Sequence, residues 1–277
     1  MKKILVPVDF STPSENALKV AADLAKKNDS ELYILHVIEL AESLFGTEQF
    51  NVNDEQIIFF MKMAKKRFDK FLEKDYLKDI RVKDYVEPGS TAIAIRETVS
   101  KNDIDMIVMG SSGVSGIEEI VIGSNTEKVV RYSEVPVLVV KNEIKNIAIK
   151  KAVFASNFDL ENLDPYKKAK KFADSFGAKM HMLYVNLPGN QFSSTLETQE
   201  QMRVFLNKVE MPLNKENIEI YNDYSIEQGV LNGAEQLKAD LIIIPTHGRK
   251  GLSHFFNGSI GEDVVNHSDI PVLTLKI

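Results

Sequence analysis

The chain has 277 residues, of which 44% are hydrophobic and 27% charged, and its formal net charge is -6. This length favours two domains of ordinary globular composition. The acidic balance argues against a nucleic-acid-binding protein, which usually carries a basic face. The lack of cysteine excludes disulfides, a thiol nucleophile and cysteine-ligated metals, and it fits the cytoplasm, where we expect the protein. No segment has the pattern of an export signal or a membrane span.

Strand and helix patterns alternate along the first half. The apolar run "ILVPV" predicts a buried strand. Thr12 is the predicted N-cap of a first helix, with Pro13 at its first position and Glu15 closing a capping box. The later predicted elements are a strand at 31–38, a helix at about 53–75, a strand at 81–86, a helix at 89–101, a strand at 104–110, a helix at 124–131 and a strand at 135–140. The predicted buried side of the long helix consists of Ile57, Ile58, Met61, Ala64, Phe68, Phe71 and Leu72.

The second half repeats the first. "IDMIVMGSSGVSGIEEIVIGSNTEKVVRYSEVPVLVVK" is followed later by "ADLIIIPTHGRKGLSHFFNGSIGEDVVNHSDIPVLTLKI". A repeat of this length indicates duplicated domains, which we place at 1–142 and 147–277. Alternating strands and helices predict two tandem doubly wound α/β domains, each a five-stranded parallel sheet with helices on both faces. A constant offset of 135 residues relates Asp105 to Asp240, Gly113 to Gly248, Gly123 to Gly258 and Pro136 to Pro271.

Glycines follow the fourth predicted strand. In an open parallel sheet, ligands bind beyond the carboxyl ends of the strands, where the strand order reverses. Asp9 follows the first strand there, and Gly110 ends the fourth. Gly110 and Gly113 allow close approach of the backbone to a ligand, and Gly123-Ser124-Asn125 begins a helix whose N-terminus suits an anion. The alternative is that these glycines are only turn residues.

The motifs of other nucleotide and catalytic sites are absent. No Lys or Arg lies between Gly110 and Asn125, so a phosphate would be held by amides and hydroxyls. Neither the P-loop nor the dinucleotide glycine motif occurs. His247, His254 and His267 lack the four-residue spacing of a metalloprotease pair. Ser111-Ser112 lacks the G-x-S-x-G elbow, and we predict neither a metal site nor a catalytic residue.

The glycines after the fourth strand, taken together with Asp9 after the first, resemble the nucleotide-binding motif of the universal stress protein family. Its nucleotide-binding members carry glycine, two residues, glycine, nine residues, then glycine with serine or threonine. Gly110, Gly113, Gly123 and Ser124 match this spacing, and Pro7 and Asp9 match the first strand. The resemblance covers both halves, so the chain is similar to a tandem universal stress protein. It implies a Rossmann-like, adenine nucleotide alpha hydrolase-like fold.

The resemblance implies that the first half binds ATP. Asp9 would lie by the ribose and adenine, and Val37 would offer backbone groups to the adenine. Magnesium can accompany the phosphates, and the sequence shows no evident acidic ligand for it beyond Asp9. Ser112 stands where many members have histidine. The implied binding residues are Pro7, Val8, Asp9, Val37, Met109, Gly110, Gly113, Gly123, Ser124 and Asn125.

The second half departs from this motif. Pro245 replaces the first glycine, and a proline has no N–H to offer. Asn157 replaces Asp9, which removes the charge, and Ala155 stands where Pro7 does. Gly248, Gly258 and Ser259 are retained. We therefore expect a degenerate second half that binds ATP weakly, differently or not at all.

These observations favour a regulator over an enzyme. The leading hypothesis is an ATP-binding sensor of stress with slow ATP hydrolysis at most. The alternatives are a nucleotide-dependent enzyme of the adenylyl transfer or ATP pyrophosphatase type, and an interaction module without ligand. By resemblance, the last strands "VPVLVVK" and "IPVLTLK" would pair the halves as a pseudo-dimer within one chain. We also expect a regulatory protein partner and a further homodimer, with neither nucleic acid nor membrane insertion.

Overall fold

The computed structural model describes residues 1–39, 54–111, 123–144, 148–209, 215–246 and 259–277. The strands are β1 Lys3–Pro7, β2 Glu31–Ile38, β3 Val82–Pro88, β4 Met106–Gly110, β5 Val137–Val140, β6 Lys151–Ala155, β7 Lys179–Asn186, β8 Ile218–Asn222, β9 Leu241–Thr246 and β10 Val272–Lys276. The helices are α1 Thr12–Asn28, α2 Asp54–Leu72, α3 Thr91–Asn102, α4 Ser124–Tyr132, α5 Leu163–Ser175, α6 Thr195–Lys208, α7 Ile226–Gln236 and α8 Ser259–His267.

The chain divides into two compact units. The first unit comprises Met1–Ser112 with Glu143–Ile147, and the second comprises Gly113–Asn142 with Ala148–Ile277. The first unit has a parallel sheet in the order β3-β2-β1-β4. Its strands β1, β2 and β4 are largely buried, as expected of a parallel sheet with helices on both faces. The strand order reverses between β1 and β4, which places the predicted crevice at their carboxyl ends.

The second unit has parallel strands β10, β9, β6, β7 and β8, joined by β5, which runs antiparallel to β10. Leu138 pairs with Leu273, its equivalent in the repeat. The two flanking pairs, Val139 with Val272 and Val137 with Thr274, are interchanged when each residue is replaced by its equivalent. A register centred on equivalent residues is self-complementary. The last strand of the first repeat therefore packs in the second unit, against the last strand of the second repeat.

The duplication is visible in hydrogen bonds. Asp105 accepts bonds from the backbone N–H groups of Lys2 and Lys3, at 2.5 and 3.0 Å. Asp240, 135 residues later, accepts the equivalent bonds from 150 and 151, at 2.8 and 2.9 Å. Both carboxylates anchor the start of the first strand of their repeat. The repeated sequence thus specifies the same local contact twice.

Three details of the sequence prediction are wrong. The N-cap of α1 is Ser11 rather than Thr12, because Ser11 is extended and its hydroxyl accepts the N–H of Ser14. Glu15 does not close a capping box; its carboxylate binds Lys74 at 2.9 Å. Ile58 is 51% exposed rather than buried, because α2 packs on β2 and β3 at the sheet edge, which covers a narrow strip of the helix.

His181 is a buried histidine in β7 whose Nε2 has no hydrogen-bond partner among the described residues. Burial lowers its pKa below the ordinary value, and the charges of Lys179 and Lys151 lower it further. The folded protein therefore disfavours the protonated ring. As pH falls through the pKa of an unfolded histidine, about 6.5, only the unfolded chain takes up this proton, and stability is lost.

We expect His181→Leu to raise the free energy of unfolding at neutral pH by about 1 kcal/mol, since it removes an unsatisfied buried nitrogen. We also expect the variant to lose less stability than the parent between about pH 7.5 and 5.5. Urea unfolding followed by circular dichroism at both pH values measures this. An unchanged acid dependence in the variant would contradict the assignment.

Candidate functional site

The structure brings three strand ends of the first unit together. Residues 7–9 follow or end β1, Val37 lies near the end of β2, and 109–110 end β4. Strand β1 pairs with β2 on one side and with β4 on the other. Six of the predicted binding residues therefore lie at the carboxyl edge of one sheet, beside the reversal of strand order. This is the part of a doubly wound sheet where ligands bind.

The backbone of Val37 faces this edge. Val8 donates its N–H to the carbonyl of Leu35 at 2.8 Å, so the polar groups of Leu35 face β1. Backbone polar groups alternate between the two sides of a strand, so those of Val37 also point to the side of β1. Strand β1 has already ended at Pro7. The N–H and carbonyl of Val37 thus lie where a planar ring with a donor and an acceptor can bind.

Asp9 supplies a charged group beside them. Its side chain is exposed, and its Oδ1 accepts the backbone N–H of Ser11 at 3.0 Å. Shielding from water by itself would raise the pKa of Asp9, but hydrogen bonds from Ser11 and Ser14 outweigh it and hold the pKa below the ordinary value. The carboxylate is therefore ionised at neutral pH and can accept hydrogen bonds from ligand hydroxyls.

Gly110 is required by packing. A Cβ at this position would lie 2.5 Å from both the carbon and the oxygen of the Pro13 carbonyl. The first turn of α1 therefore packs directly on the end of β4. The sequence interpretation assigned this glycine to ligand approach and missed its contact with the helix. The contact fixes the beginning of α1, and with it the turn that carries Asp9.

Ser111 is a polar group that the sequence interpretation did not assign to binding. Its side chain is 4% exposed, and its hydroxyl has no hydrogen-bond partner among the described residues. A buried hydroxyl without a partner costs about 1–3 kcal/mol. It directly follows Gly110 at the carboxyl end of β4. A polar ligand at this edge would suit the hydroxyl.

Four predicted binding residues do not belong to these three strand ends: Gly113, Gly123, Ser124 and Asn125. Gly113 is outside the described residues. Gly123 is the N-cap of α4, in the second unit, and makes no side-chain cap to the helix. Ser124 and Asn125 form the first positions of that helix, as predicted. A helix N-terminus offers unpaired N–H groups and a favourable dipole to an anion.

The equivalent strand end in the second unit is closed. Asn157 stands in place of Asp9 and is 5% exposed. Its Oδ1 accepts the amide of Asn162 at 2.6 Å and the backbone N–H of Asp159 at 3.1 Å. The cavity beside it, lined by Val185 and Ile226 among others, has a volume of about 10 Å³. That space holds about one water molecule.

No metal cluster is present in the parts of the chain that the structure describes. There, no three His, Cys, Asp or Glu side chains are grouped to hold an ion. His267 instead lies 2.6 Å from Glu227, and His247 and His254 are outside the described residues. Among the described helices, none combines the length and the apolar character that crossing a membrane requires.

The parallel sheet, its buried strands and its reversal of strand order define a doubly wound, Rossmann-like α/β protein. The universal stress protein family model matches residues 1–141 and 149–276, so the chain belongs to this family and carries two tandem domains.

Relatives of known sequence and structure match it. Universal stress proteins MJ0531 and MJ0577 of Methanocaldococcus jannaschii are 32% identical over 146 residues and 34% identical over 157. These matches cover 52% and 51% of this chain and 84% and 96% of the relatives. A crystal structure of a universal stress protein from Archaeoglobus fulgidus aligns with a TM-score of 0.74 and 22% identity, over 99% of this chain and 98% of that one.

Proposed function

We propose that this chain binds ATP in its first half and acts as a nucleotide-responsive regulator in the stress response. The observation that carries the proposal is the contrast between two equivalent strand ends. In the first unit, Asp9 is exposed and charged beside the end of β2, where Val37 extends past the last residue of β1. In the second unit, Asn157 is buried in its own hydrogen bonds beside a cavity of about 10 Å³. This contrast supports the first strand end, rather than the second, as the ligand site.

In this proposal, each residue has a chemical role. The N–H and carbonyl of Val37 would bind the edge of the adenine, and the carboxylate of Asp9 would accept the ribose hydroxyls. Pro7, Val8, Met109 and Gly110 would form the walls of the site. By resemblance to the family motif, Gly113, Gly123, Ser124 and Asn125 would hold the phosphates, with Mg²⁺ beside them. ATP would supply the charge that the helix N-terminus favours.

We propose binding rather than rapid turnover. A general base works best when its pKa lies near the working pH. The pKa of Asp9 is held below its ordinary value, so its carboxylate is a weak base for activating water. Hydrolysis would therefore be slow. The second half would serve as a structural copy that pairs with the first through β5 and β10, as a pseudo-dimer within one chain.

A matched pair of substitutions tests the proposal. We expect titration calorimetry to give one ATP for each chain. Asp9→Asn should weaken the affinity about tenfold or more, because an amide accepts fewer hydrogen bonds from the ribose and lacks charge. It should fold normally, because Asn157, in the equivalent position, accepts the equivalent hydrogen bond from the backbone N–H of Asp159. Asn157→Asp should create no second site, since the space beside it is closed.

Three results would contradict the proposal. They are two equivalent ATP molecules bound for each chain, no ATP bound at all, and an affinity that Asp9→Asn leaves unchanged. Sustained ATP consumption with a specific acceptor would replace it with an enzymatic function. Mass spectrometry of nucleotide released on denaturation of the purified protein identifies the ligand independently of added ATP.

A further inference from the structure

An apolar groove with an acidic rim lies on the second unit. It has a volume of about 570 Å³ between α6 and the turn at Leu160. Leu160, Leu196 and Val204 line it and are 48%, 78% and 39% exposed. The carboxylates of 159, 197 and 200 also line it, and the described residues contribute no basic side chain to its walls. Exposed large side chains in a groove of this kind mark an interaction surface.

The face of α6 in this groove has a definite pattern. Leu196, Glu200 and Val204 follow one another at intervals of four residues, so they lie along one side of the helix. Glu197 lies between them on the same side. Glu200 is bound by Arg203 at 2.6 Å, next to the groove. Leu196 and Val204 make this face apolar, and Glu197 and Glu200 make it acidic, along about two turns. Such a face suits a partner helix that is apolar and basic.

The equivalent helix of the first repeat has the opposite charge. On α2, Lys62, Lys66 and Lys70 follow one another at intervals of four residues, and all are exposed. They form no ion pair with any described residue. Ile58 lies in line with these lysines, one turn before Lys62, and Met63 lies to one side of the ridge that the lysines form. Ile58 and Met63 are 51% and 54% exposed. The α2 face therefore offers apolar and basic groups over about the same length as the α6 groove.

We propose that the α6 groove binds the α2 face of a second copy of this chain. The partner surface is present in the same sequence, with the required charge, spacing and apolar side chains. Such a contact joins two different surfaces, so it is heterologous and adds copies head to tail. The lysine ridge would lie against Glu197 and Glu200, and Ile58 or Met63 would enter between Leu196 and Val204. A helix in a groove buries little area, so the association is weak, with a Kd in the micromolar range.

Complementation between two variants tests this contact. The α2 variant carries Lys62→Glu and Lys66→Glu, and the α6 variant carries Glu200→Lys and Val204→Lys. Sedimentation velocity up to about 100 μM chain should show concentration-dependent association of the parent, and at least tenfold weaker association of each variant alone. An equimolar mixture should regain association, because the intact α6 groove of one variant can bind the intact α2 face of the other. High salt should weaken the parent association.

A control variant separates this contact from general charge effects. Lys168→Glu with Glu235→Lys alters two exposed residues outside both faces and should associate like the parent. Circular dichroism and thermal unfolding establish that all variants are folded. A parent that stays monomeric over this range would overturn the proposal. So would unweakened association of both variants, or a mixture that associates no better than its components.

Discussion

Gly110→Ala is expected to lower the free energy of unfolding by about 3 kcal/mol, the upper end of the cost of overpacking a core. The added Cβ would lie 2.5 Å from two backbone atoms of Pro13. Backbone atoms cannot swing aside as a side-chain end can, so α1 must shift away from β4. Helix α1 is buried along one face, including Leu18, Ala21 and Leu24, so a shift also disturbs the core of the first unit. Urea unfolding followed by circular dichroism measures the loss.

Gly261→Ala is the graded control for this substitution. Its Cβ would lie 2.9 Å from the methyl group of Thr246, the end of a side chain. That contact can relax, so we expect a loss of less than about 1 kcal/mol. If Gly110 served only the ligand, Gly110→Ala would weaken ATP binding and leave stability unchanged. Asp9 rather than Gly110 is therefore the better position at which to test binding.

Arg131→Leu is expected to lower the free energy of unfolding by about 3 kcal/mol, because it leaves a buried carboxylate without its partner. Glu262 is 7% exposed and accepts two bonds from the Arg131 guanidinium, at 2.7 and 2.5 Å. This bidentate ion pair, the fork between Arg131 and Glu262, joins α4 to α8 within the second unit. The carboxylate raises the pKa of Arg131 above its already high ordinary value. The Arg131 guanidinium therefore keeps its charge in unfolding experiments near neutral pH.

A double-mutant cycle isolates this pair. Glu262→Leu alone should also destabilise the protein, since the guanidinium then lacks its bidentate acceptor. The double variant should be more stable than the sum of the single losses predicts, with a coupling energy of about 2 kcal/mol. Additive losses would show that the two side chains act independently. The exchange Lys168→Glu on α5, which is exposed, serves as a control for a change of charge alone.

Much of the fold could be predicted because its signals are local or repeated. Short apolar runs and helical periodicity gave the order of strands and helices, and the constant offset revealed the duplication. The rule for doubly wound sheets predicts the ends of β1 and β4 at the reversal of strand order. The pairing of β1 with β4 confirms that these strands are neighbours. The strand ends that carry Asp9, Val37 and Gly110 could be located for the same reason.

What the sequence did not predict depends on contacts between distant residues. The packing reason for Gly110 lies in Pro13, which is far away in the chain. The exposure of Ile58 depends on how much of α2 the edge of the sheet covers. The closed strand end at Asn157 depends on Ile226 and Val230 of α7, which lie far along the chain and line the cavity beside it. Hydrophobic periodicity describes one helix or strand at a time, so it does not predict these contacts between elements.

The fork between Arg131 and Glu262 has a consequence for how the two repeats change over generations. Arg131 also binds Glu127, at 3.1 Å, and Glu127 and Glu262 are equivalent residues of the repeats. Asn266 occupies the position equivalent to Arg131, so only one of two matching arginines is present. In a pair of separate identical chains, one mutation alters both sides of the interface. In a fused gene each side mutates alone, so one copy is free to lose a charge or a ligand while the other keeps it.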